Sequence, residues 1–213
     1  MLVAPSIENA SVVFVVKNNA PSMFTHEFLI HNNVFKQRFE PVKSIALAPL
    51  SQIKYPGGYA FQATEGQLKI EIDYPSKQQL AEIGQIPDII TEAATRLYEV
   101  TSYMNYQAVG INFRAVSIGG GIDELVYLDR LPNTASPKEI KYQMHYDAFV
   151  VMITLALGKR TSTGEDVLVA DANYHLEIGS GGQESRSEAF LSALRKRQKC
   201  LTHFATLITE SYD

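Results

Sequence analysis

A chain of 213 residues, 46% hydrophobic and 20% charged, has the ordinary composition of a soluble globular protein and suffices for one domain with a buried core. Its net charge of -4 gives no global basic footprint for nucleic acid, and a single cysteine, Cys200, excludes an internal disulfide framework and fits a reducing compartment. We read no signal peptide, since Met1 to Pro5 lacks a basic start and Glu8 interrupts the apolar run. The longest apolar run, Ala148 to Leu157, is about half of the roughly 20 residues a spanning helix needs, so the expected location is cytoplasmic with no membrane partner.

In chain order, Ser11 to Lys17 is β-branched and short, which predicts a buried strand. Pro21-Ser22 opens an amphipathic segment, Met23 to His31, expected to be helical, and Val42 to Ala48 reads as a strand stopped by Pro49. Tyr59 to Asp73 alternates as a hairpin around Glu65-Gly66: Tyr59, Phe61 and Ala63 match Leu68, Ile70 and Ile72, while Lys69, Glu71 and Asp73 face water. A short helix is expected after Pro75. A longer one covers Ile86 to Tyr103, where Ile86, Ile90, Ala93, Leu97 and Val100 form a stripe. Tyr106 to Ser117 predicts a strand and Ile122 to Leu131 a short helix.

Lys141 to Ile178 then reads as two long strands joined by a turn near Thr161, and Glu184 to Ser211 as a long final helix burying Phe190, Leu194, Leu201, Phe204 and Ile208. The predicted order is β-α-β-β-β-α followed by β-α-β-β-α. It suggests two pseudo-repeats, 1–103 and 104–213, within a single domain. The expected fold class is α+β, with a mainly antiparallel sheet of about six to seven strands and long helices packed on one face.

Successive strand side chains point to opposite faces, and the Lys141–Ile178 pair sorts accordingly. A turn centred near Thr161 sets Asp147 opposite His175 and His145 opposite Glu177, all on the face away from the helices. Imidazole beside carboxylate is the material of acid–base or metal chemistry, and Arg114 and Asn112 on the preceding strand would add an anion-binding group. The plainer reading is a set of cross-strand ion pairs on a wet sheet.

Beside that cluster, Phe149, Val151, Ile153, Leu155, Val167 and Val169 fall on the same helix-free face as an apolar patch. Soluble chains rarely leave such a patch open. Either the chain covers it, with Met23 to Phe39 and Ile122 to Leu131 as candidates, or a second copy or protein partner does. The leading expectation is therefore a binding or interaction protein that self-associates or docks a partner through this face. The alternative is a metal-dependent or acid–base enzyme, hydrolase-like, on the His/Asp/Glu cluster.

Three further features read as structural. Gly119-Gly120-Gly121 and Gly179-Ser180-Gly181-Gly182 precede helices but lack the lysine and hydroxyl of a phosphate loop. The basic run Arg195 to Lys199 spreads around its helix rather than forming a stripe, which, with the overall acidity, argues against a nucleic-acid partner. Cys200, three residues before His203, adjoins Leu201 and near Phe204, so it reads as a core-edge residue rather than a nucleophile. No cofactor is expected.

Overall fold

The computed structural model describes residues 6–35, 40–79, 88–118, 139–159, 164–179 and 183–209. Among them run nine strands: β1 (Ser6–Lys17), β2 (Lys43–Leu47), β3 (Leu50–Lys54), β4 (Tyr59–Thr64), β5 (Gln67–Gln79), β6 (Asn105–Ile118), β7 (Glu139–Tyr146), β8 (Phe149–Lys159) and β9 (Asp166–Glu177). Four helices accompany them: α1 (His26–His31), α2 (Asp88–Val100), α3 (Gln183–Arg195) and α4 (Arg197–Thr209). The strands form one antiparallel sheet in the order β2-β3-β4-β5-β1-β6-β9-β8-β7.

Four strands lie on one side of the central β1–β6 pair and three on the other. A central strand, β1 or β6, is followed in the chain by a meander whose last strand, β5 or β9, returns to pair with it. β1 and β6 then pair with each other and join the halves. Helices α2, α3 and α4 pack on one face: α2 on β1 and β5, α3 on β6, and α4 on β6 and β9. Aromatic rings make the joint. Phe190 of α3 stacks on Tyr98 of α2 at 4.0 Å and meets Phe14 of β1 at 5.0 Å, while Phe204 of α4 stacks on Phe113 of β6 at 5.7 Å. Such pairs add about 0.5–1.5 kcal/mol beyond their buried area.

The Tyr59–Asp73 hairpin forms in the expected register, with Phe61 opposite Ile70 and Ala63 opposite Leu68, and Gly66 takes the positive φ of 82° that its turn requires. β5 runs past Pro75 to Gln79, and residues 80–87, where the remainder of the expected short helix falls, lie outside the described residues. Between the pairs Asn9↔Asp73 and Ile7↔Gln78, β5 holds four residues against one on β1, and Pro75 lies in that irregular stretch, where its missing N–H costs no ladder bond. β3, which the sequence reading omits, pairs with β2 across Ala48-Pro49. The described residues therefore hold nine strands where six to seven were expected.

Among the described residues the helices are shorter than expected, 13 residues at most. The final one is broken at Lys196, whose N–H is shared between the carbonyls of Ser192 and Ala193, and the Arg197 guanidinium reaches the Leu194 carbonyl at 3.4 Å. Gly119 to Gly121, the Ile122–Leu131 helix, the turn near Thr161 and Ser180 to Gly182 lie outside the described residues.

The segment read as one strand from Lys141 to Leu157 is a hairpin. Asp147 adopts φ 53°, a left-handed conformation that aspartate tolerates better than most residues, and Tyr146 pairs with Phe149 across the two-residue turn. Because 146 faces 149, the core side changes from even numbers in β7 to odd numbers in β8. Phe149, Val151 and Ile153 are consequently buried on the helix side, at 1%, 0% and 1% exposure, and Leu155 shares their face. They do not form an exposed patch.

Candidate functional site

The strand register fixes where the predicted cluster lies. His175 of β9 sits between Gly110 of β6 and Val150 of β8, and His145 of β7 lies on the other side of Val150. The two histidines thus share one row of the helix-free face, one strand apart, roughly 10 Å at ordinary strand spacing. Glu177 pairs with Ala108, not with His145. Asp147 occupies the β7–β8 turn, where Lys196 of the helix break reaches it at 3.0 Å. Arg114 binds Asp171 with two hydrogen bonds, at 2.7 and 3.0 Å, and that contact raises its pKa. The cluster is therefore dispersed, because the hairpin turn and the β8–β9 register, Val150 opposite His175, both differ from the assumed ones. Among the described residues no three His, Cys, Asp or Glu side chains gather as a metal set.

Of the predicted interface residues, Val167 and Val169 do face away from the helices. Val169 is half-buried and Val167 buried, opposite Gly158 and Ile118 near one end of the sheet.

What the face opposite α2, α3 and α4, helix-free among the described residues, brings together is a polar cleft of about 840 Å³ over its central strands. Its floor is two rows of side chains in direct register. One row runs Glu71, Ser11, Asn112, Asn173 and Met152; the next runs Asp73, Asn9, Arg114, Asp171 and Thr154. Both halves of the chain contribute to each row. Every strand supplies its two residues at i and i+2, the spacing that returns a strand to the same face.

The polar groups are mostly engaged with one another. The Asn9 amide donates to Asp73 at 2.7 Å and to Glu71 at 3.4 Å, Lys69 pairs with Glu71, and the Asn112 amide donates to Ser11 Oγ at 3.4 Å. Two groups stand out. Asn112 Oδ1 is buried and accepts no hydrogen bond from any described residue, a state that costs about 1–3 kcal/mol. The Tyr74 hydroxyl at the cleft's end is in the same position, and burial pushes its pKa up to about 12. Two residues before Asn112 on β6, Gly110 leaves room for the amides: a Cβ there would lie 3.4 Å from Asn173 Oδ1 and 3.7 Å from Asn112 Oδ1, so both oxygens lie near the glycine.

Of these residues only Arg114 and Asn112 were expected in a site; Asn9, Ser11, Glu71, Asp73, Asp171 and Asn173 join them here. The available signal was the recurrence of polar i, i+2 pairs on strands otherwise apolar: Asn9/Ser11, Glu71/Asp73, Asn112/Arg114 and Asp171/Asn173.

On the helix side, Tyr174 Oη bonds His203 Nδ1 at 2.8 Å, and Tyr146 stacks on the same imidazole at 3.8 Å. Desolvation lowers the pKa of His203 and raises that of Tyr174. Cys200, fully buried beside them, is pushed up to about 12, first by burial and then by the charge of Asp147. Burial there disfavours the thiolate, the form in which a cysteine acts as a nucleophile. Neither a protein-family model nor any of the curated proteins compared with the chain matches it.

Proposed function

We propose that this chain is a binding protein whose helix-free sheet face receives a small polar ligand. The observation that carries the reading is the cleft itself. Its volume falls within the range of about 300–1,000 Å³ typical of ligand pockets, and its floor is built from both halves of the chain. The face expected to bind is kept from the sequence reading, but its character changes from apolar to polar, because Phe149, Val151 and Ile153 belong to the core. The enzymatic alternative has less support, since His145, Asp147, His175 and Glu177 are spread over a row, a turn and a strand end.

The test is a titration of the isotope-labelled chain with glucose, acetate, inorganic phosphate and butylammonium, following backbone amide shifts. Saturable shifts confined to Asn9, Ser11, Asn112, Arg114, Asp171 and Asn173 support the reading. No shift there with any of the four solutes overturns it. So does a scattering mass of a dimer together with protection of these amides, which would make a second copy the occupant.

A further inference from the structure

We draw no further inference here: the strongest candidate, the outer edge of β2 at the end of the sheet, unpaired among the described residues and with Val42 and Leu47 exposed, carries none because nothing in the structure shows what covers it.

Discussion

The face assignment of β8 can be tested with two neighbouring residues. Ile153 is 1% exposed and lies on the helix side, opposite Tyr142 and Ala172; Met152 is 41% exposed on the cleft side. Ile153→Ala deletes three carbons, about 2.4 kcal/mol of transfer free energy at roughly 0.8 kcal/mol each. The void that remains adds about 1–2 kcal/mol, so the total is about 3–4 kcal/mol. Met152→Ala removes a side chain that is already wet and should cost less than about 1 kcal/mol. Urea unfolding followed by far-ultraviolet circular dichroism and by the fluorescence of the eleven tyrosines, with no tryptophan to obscure it, reads both. With a slope of about 3 kcal/mol per molar, the Ile153 variant should unfold about 1 M earlier and the Met152 variant within about 0.3 M of the parent. A Met152→Ala cost equal to or above that of Ile153→Ala would show that the two faces are exchanged, and the polar cleft would lose its foundation.

Cys200 should resist thiol reagents in the folded chain near pH 8, because it is buried and its pKa is pushed up to about 12, and should react fully once urea unfolds the protein. Prompt labelling of the native chain would contradict its burial within α4. His203 gives a pH signature. Its folded pKa lies below the ordinary imidazole value through desolvation, so the unfolded chain takes up the proton first as pH falls past about 6.5. The stability it contributes is complete above that point and declines as pH drops toward its folded pKa, whereas raising pH costs nothing. Stability of the parent should therefore fall more steeply between about pH 7 and pH 5 than that of His203→Gln. Parallel curves would refute the assignment.

Local chemistry made much of this architecture legible from the sequence. Alternation on Tyr59 to Asp73 around Glu65-Gly66 specifies a hairpin and its register together, since turn residues and side-chain period agree. Of the stripe Ile86, Ile90, Ala93, Leu97 and Val100, the middle three are buried on α2, Val100 is half-buried and Ile86 lies outside the described residues. On β9, the run Asp171, Asn173, His175 and Glu177 is legible as the wet face, against Ala170, Ala172 and Tyr174 on the helix side.

Between Lys141 and Leu157 the same rule misleads. Alternation is continuous through Tyr146, Ala148 and Val150, and neither glycine nor proline marks Asp147 as a turn. A period of two says which side chains share a face, but not which face is covered, and a two-residue turn reverses the answer. Only the pairing of Phe149 with Tyr146, and of Val151 with Tyr174 beneath α4, decides it. The cleft is legible in pieces for a related reason. Each strand's own sequence carries one polar pair, but bringing Asp73, Asn9, Arg114 and Asp171 into a single row depends on the relative shift of four strands drawn from both ends of the chain. Amphipathic order is a local property of the chain; register between distant strands is set by how the whole sheet buries its apolar side against the helices, and no stretch of residues contains that information alone.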